Sequence, residues 1–227
     1  QVTALASCII SGYYVDPKTI KYANNNYNCW SNEVLYKYYP TFIGAQNYYN
    51  HEQDPRKSYG FIAGATIRKI QLKEAENPET DFVYYVDLLV ATNKIVPPNP
   101  RVIQKMLTGE LKTWSMGCDS SSLQCTKCGM LSENPEDDCV HMKYELGRRF
   151  ITPLGQEAKV LAIVTPDRPG GKKGIVKFKE ISMVEGPAFK GAVSGFLLDI
   201  PPAKMFFSKS RLRRGIGRKR ITMGLYV

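Results

Sequence analysis

The chain has 227 residues, a net charge of +10, and 43 % hydrophobic against 23 % charged residues. That length suits one large domain burying roughly 70–75 % of its unfolded surface, so no disulfide scaffold is needed. The balance excludes a disordered or collagen-like chain, and no apolar run approaches the roughly 20 residues of a membrane-spanning helix. The apolar opening from Val2 to Ile10 lacks the basic leader of a signal peptide. The first residue is Gln1 rather than Met, which processing and an incomplete sequence explain equally well.

In chain order, residues 1–30 read as an N-terminal arm, a strand followed by the polar loop Asn24-Asn25-Asn26. Ser31-Asn32-Glu33, followed by Val34, Leu35 and Tyr38, predicts a capped short helix that Pro40 ends. Tyr59 to Ile70 and Phe82 to Ala91 are rich in β-branched and aromatic residues and predict two paired strands. Pro97, Pro98 and Pro100 stop the sheet. Val102, Ile103, Met106 and Leu107 then place one apolar face on a helix of about three turns over 101–111. Trp114 to Cys118 starts another strand, and a Cys-rich insertion covers about 118–145. Lys159 to Thr165 and Gly174 to Val184 predict two further strands, with Gly170-Gly171 as the turn. The expected class is α+β or mainly β, an antiparallel barrel or sandwich with a few helices, filling 31–200.

Charge concentrates at the far end. From Ile200 to Val227 there are eight basic residues and no acid, which leaves ten less eight, or +2, for the rest. Lys209, Arg211, Arg213, Arg214, Arg218, Lys219 and Arg220, with Lys204, make residues 201–227 a basic arm. Such a run suits nucleic acid or an acidic protein partner, and equally a solvated tail. Gly215-Ile216-Gly217 is no phosphate loop, because no strand precedes it and the third glycine is missing.

Cys125-x2-Cys128, then ten residues, then Cys139-x-His141 offers three thiolates and one imidazole. Tetrahedral zinc takes this set, and four protein ligands leave no open position, so the metal is expected to be structural. The polar stretch Ser132 to Asp138 cannot pack a core alone, which fits stabilisation by metal. The plainer reading is reduced, buried cysteines beside a chance histidine; Cys118 is a substitute ligand, and Cys8 and Cys29 read as ordinary thiols. The chain has two histidines. With His141 on a metal, His51 in Asn50-His51-Glu52-Gln53-Asp54-Pro55 is the remaining base. Ser115 in Trp114-Ser115-Met116-Gly117 is the nucleophile it would serve, since a hydroxyl needs a neighbouring base. Gly117 would let a carbonyl oxygen approach backbone amides.

These segments, with Gly60-Phe61-Ile62, Tyr85-Val86-Asp87-Leu88-Leu89-Val90 and Ser115-Met116-Gly117-Cys118, resemble the capsid-maturation (prohead) proteases of large tailed phages. Glu180-Ile181-Ser182-Met183-Val184-Glu185-Gly186-Pro187-Ala188 is similar to the Glu-x-Ser-x-Val-x-x-Pro-Ala signature that closes the domain in that family, and the Cys/His insertion looks like a feature of one branch. The resemblance spans roughly residues 31–192. It implies an assemblin-like β-barrel ringed by helices, and a serine endopeptidase that cleaves scaffold, shell and internal head proteins inside the prohead, assembled in the host cytoplasm. It carries Ser115 over as nucleophile and His51 as general base. For a third member it implies an acid, Glu145 ahead of Glu180, or a second histidine, for which only His141 is left. Arg148 and Arg149 match paired arginines that support the oxyanion, or are a surface charge pair.

Two other functions fit the same sequence. One is a protease-like virion structural protein without turnover. The other is a zinc-stabilised nucleic-acid binder that uses the basic arm, with affinity falling steeply as salt rises.

Overall fold

A computed structural model describes residues 2–10, 23–71, 82–189 and 192–199. Its strands are β1 (Val2–Ile10), β2 (Asn28–Trp30), β3 (Gln46–Tyr49), β4 (Gly60–Gln71), β5 (Phe82–Thr92), β6 (Trp114–Ser120), β7 (Ser122–Cys125), β8 (Leu131–Ser132), β9 (Arg149–Ile151), β10 (Glu157–Lys159), β11 (Ala162–Thr165), β12 (Asp167–Arg168), β13 (Lys172–Lys173), β14 (Val176–Met183) and β15 (Ser194–Asp199). Among the described residues three α-helices join them, α1 (Asn32–Tyr38), α2 (Pro100–Leu107) and α3 (Val140–Tyr144). The basic arm, with Lys209, Arg211, Arg213, Arg214, Arg218, Lys219 and Arg220, lies outside the described residues. No described helix is long and apolar enough to cross a membrane.

The expected strand-rich mixture of α and β is present. Seven strands run in the order β15-β1-β5-β4-β3-β14-β6, antiparallel except for the parallel pair β14–β3. The sheet curls into a half-barrel whose two edges meet at one end. There Thr113 bridges to Val193, Trp114 N donates to Ala192 O, and Trp114 Nε1 donates to Ser194 Oγ at 2.9 Å. A second sheet, β2-β11-β7-β8, stands beside it.

Local signals explain most boundaries. Ser31 Oγ accepts from Val34 N and starts α1, and Asn99 Oδ1 accepts from Arg101 N and starts α2. The α2 helix is shorter than the expected 101–111, because the chain turns off at Thr108 into Gly109, whose φ of +75° ends a helix. Its buried face is Val102, Ile103 and Met106, while Leu107 faces out.

Two expectations on topology are corrected. Residues 2–10 are no separate arm, since β1 pairs with both β5 and β15. The strands on either side of Gly170-Gly171 are not partners: β11 belongs to the second sheet and β14 to the first. The two glycines, both at φ +75°, join only the short β12 and β13. Turn chemistry marks a reversal of the chain but does not say how far pairing extends beyond it.

The core fills the concave side of the half-barrel, with Phe42 stacked on Phe178 at 4.3 Å between ring centroids and Leu35, Ile62, Leu88, Trp114, Ile181 and Met183 around them. Burying each large apolar side chain of this kind contributes about 1.5–3 kcal/mol. A bulge in β14 then positions the site. Phe178 pairs with Cys118 and Glu180 with Gly117, so Lys179 is the extra residue. One added residue exchanges the two faces of a strand. Before it, Val176 and Phe178 face the core. After it, Ile181 and Met183 do, and Glu180 and Ser182 come to the opposite face beside Ser115 and Gly117.

Candidate active site and metal centre

His51 follows β3 at a sharp turn in which both Asn50 (φ +50°) and His51 (φ +59°) are left-handed. For residues other than glycine that backbone is unfavourable by about 1–2 kcal/mol each, and such strain persists where the surroundings enforce it. Here Asn50 N donates to Met183 O at 2.9 Å, and His51 N donates to Ser182 Oγ at 3.2 Å. Both bonds tie the turn to the end of β14.

The imidazole meets a carboxylate. His51 Nδ1 lies 2.8 Å from Oε1 of Glu180, whose side chain is 0 % exposed against 41 % for His51. The other carboxylate oxygen, Oε2, accepts from Ser182 Oγ at 2.7 Å. Because Ser182 accepts from His51 N, its own proton is free to go to Glu180. Facing a carboxylate, Nδ1 carries the imidazole proton, which leaves the lone pair on Nε2. The hydrogen bond to Glu180 raises the His51 pKa above its ordinary value; burial opposes this and the carboxylate charge adds to it.

Gly117 makes room for this carboxylate. A Cβ there would lie 2.4 Å from Glu180 Oε1 and 2.8 Å from Cγ. Gly117 thus has a packing role beneath the histidine.

Ser115 is the direct cross-strand partner of Ser182 on β6, so the two side chains share a face. Its hydroxyl makes no hydrogen bond to any described residue, and with His51 it lines a cavity of about 980 Å³. The far walls come from Asn24, Asn26, Asn28 and Trp30, and from the loop after β8. Ser122 Oγ is buried in this lining without a hydrogen-bond partner among the described residues, and Trp30 Nε1 is buried beside the Cys118 thiol. These donors were not singled out from the sequence, and nothing in the local pattern marks them.

The remaining predicted residues lie elsewhere. Glu145, first choice as the acid behind His51, pairs with Lys127 Nζ at 2.7 Å at the end of α3, and that ammonium holds its carboxyl below the usual range. Glu180, the second choice, occupies the position behind His51. Arg149 pairs with Glu157 at 2.6 Å on the exposed β9–β10 hairpin. Neither Arg148 nor Arg149 lines the cavity, so an oxyanion there is out of their direct company. Their adjacency in sequence says nothing of which side of the molecule the hairpin occupies.

The predicted metal ligands do come together. One donor atom from each of Cys125, Cys128, Cys139 and His141 lies within 4.8 Å of all the others. Tetrahedral zinc with Zn–S near 2.3 Å places its sulfurs about 3.8 Å apart, so the set fits a closed four-ligand site after small adjustment. Gly129, at φ +73°, turns the chain after Cys128 and donates its N–H to Cys125 O at 2.8 Å. Cys139 caps α3 by accepting from Met142 N, which puts His141 one residue inside that helix. The cluster could hold a metal. His141 belongs to this group, which removes it as the partner of His51. Cys118 is on β6 opposite Phe178, outside the cluster, and burial pushes its thiol up to about 12. Cys29 is a buried thiol, also raised to about 12 by burial.

Scans of the chain against protein-family models, curated proteins and solved structures return no match.

Proposed function

We propose that the protein is a serine endopeptidase whose centre is Ser115, His51 and Glu180, with an assemblin-like fold and a zinc ion in the Cys/His cluster. The observation that carries this reading is the buried Glu180 holding His51 Nδ1 while Ser115 lines the same cavity. Nε2 takes the Ser115 proton as Oγ attacks the peptide carbonyl, and the imidazolium so formed is stabilised by Glu180. His51 then returns the proton to the leaving amine, and water releases the acyl group by the same route reversed.

Oxyanion support comes in this reading from backbone rather than arginine. Trp114 N points away from β14 to Ala192, and strand alternation puts Met116 N–H, next to Ser115, on the same side of edge strand β6. A carbonyl against Ser115 would find that amide unpaired. The sequence resemblance to prohead proteases supplies the setting proposed here: scaffold and internal head proteins as substrates, within a phage prohead. Packaged DNA is a further proposed partner for the basic arm.

A fluorophosphonate probe tests the centre. It is expected to modify Ser115 in the full chain, to leave Ser115→Ala unmodified, and to react at least about 10²-fold more slowly with His51→Ala. Absence of modification at Ser115 across neutral and mildly alkaline pH refutes the proposal.

A further inference from the structure

Between Cys128 and Cys139 the chain passes through β8 and a short polar turn. Ser132, Glu133, Asn134, Pro135 and Asp138 of this segment line the cavity that holds Ser115 and His51. Both ends of the segment are candidate metal ligands. The wall of the cavity and the metal centre are therefore one piece of chain.

That piece has little else to hold it. Residues 133–137 are exposed and only Ser132 is buried within it. The two-residue β8 pairs with β7 at the edge of its sheet. Other anchors are polar: Arg168 Nε and Nη2 on the Glu133 carboxylate at 2.7 and 2.8 Å, Ser132 Oγ on Asp138 Oδ1 at 2.6 Å, and Lys143 Nζ on Glu136 O at 2.7 Å. The Arg168–Glu133 pair holds one point of the turn, whereas metal–thiolate bonds would fix its path from both ends.

We infer that a thiolate-preferring divalent metal, bound by Cys125, Cys128, Cys139 and His141, sets the position of this cavity wall, so that the metal centre governs access and fit of a peptide without touching the reacting atoms. The consequence for peptides rests on the endopeptidase reading; the coupling of metal to wall does not.

The chain's two tryptophans, Trp30 and Trp114, both line the cavity. Their emission thus reports on the wall without turnover. In the full chain, stripping metal with a chelator is expected to increase acrylamide quenching of that emission, reversed by one equivalent of Zn2+. A Glu-specific protease is expected to cut at Glu133 or Glu136 about tenfold faster without metal, because opening the wall no longer requires breaking metal bonds. Cys128→Ser should reproduce the stripped behaviour in both the quenching and the cutting arms.

The inference is overturned if the chain binds no metal, if quenching and cutting are unchanged by its removal, or if removal unfolds the whole chain by circular dichroism. A metal-loaded chain that fails to react at Ser115 refutes the hydrolase reading alone, and the quenching and cutting arms still decide the wall.

Discussion

His51 and Glu180 are 129 positions apart in the chain and 2.8 Å apart in space, histidine Nδ1 on a carboxylate oxygen with no exposed surface. A buried carboxylate is tolerated only when its oxygens are occupied. Here Ser182 takes one and His51 the other. The same arrangement fixes the imidazole tautomer.

Glu180→Gln keeps the shape but presents an amide that can donate to Nδ1 and shift the imidazole proton to Nε2. The expected result is a folded protein whose rate on a reactive ester falls by about 10³-fold or more. Steady-state kinetics beside a thermal melt check this; an unimpaired rate would remove Glu180 from the centre.

The acidic limb of kcat/KM should have its midpoint above the ordinary histidine value of 6.5, because the Glu180 hydrogen bond favours the protonated ring. In Glu180→Gln the midpoint should move down. The raised pKa also links to stability. This contribution is present in full below the unfolded pKa and fades as pH rises through the folded one. Rate profiles and melting temperatures from pH 5 to 9 test both directions.

Gly117→Ala drives a Cβ into the Glu180 carboxylate. Overpacking of this kind costs about 1–3 kcal/mol and should displace Glu180 from His51, abolishing activity. Gly186→Ala, where a Cβ meets nothing within 4 Å, is the control and should change neither property. Chemical denaturation separates the two.

Ser182→Ala removes an acceptor for His51 N and a donor to Glu180 Oε2. It should lower stability by about 1–3 kcal/mol, the cost of leaving a buried partner unsatisfied. The rate should fall less than in Glu180→Gln, because the Nδ1 contact survives. Denaturation midpoints and the pH profile together distinguish a bracing role from a packing one.

Much of the local structure was legible in the residues. Ser31 and Asn99 start their helices as side-chain caps, and the β-branched run over 60–71 pairs with that over 82–92. The Cys/His spacing identified a cluster whose donor atoms do converge. Glu180 and Ser182 carried a signal too, as polar residues alternating with Ile181 and Met183 in the buried second half of their strand. Spacing alone gives no direction to a side chain, so it does not separate Glu180 from Glu145.

Residue type, capping and short-range spacing were determined by the sequence itself, since they depend on neighbours a few positions away. The bulge at Lys179, the pairing of Ser115 with Ser182 and the place of the Arg148–Arg149 hairpin were decided only by the tertiary structure. A one-residue shift between strands distant in sequence reverses which side chains share a face. Such registers come from packing the whole sheet against its core, which no local stretch contains.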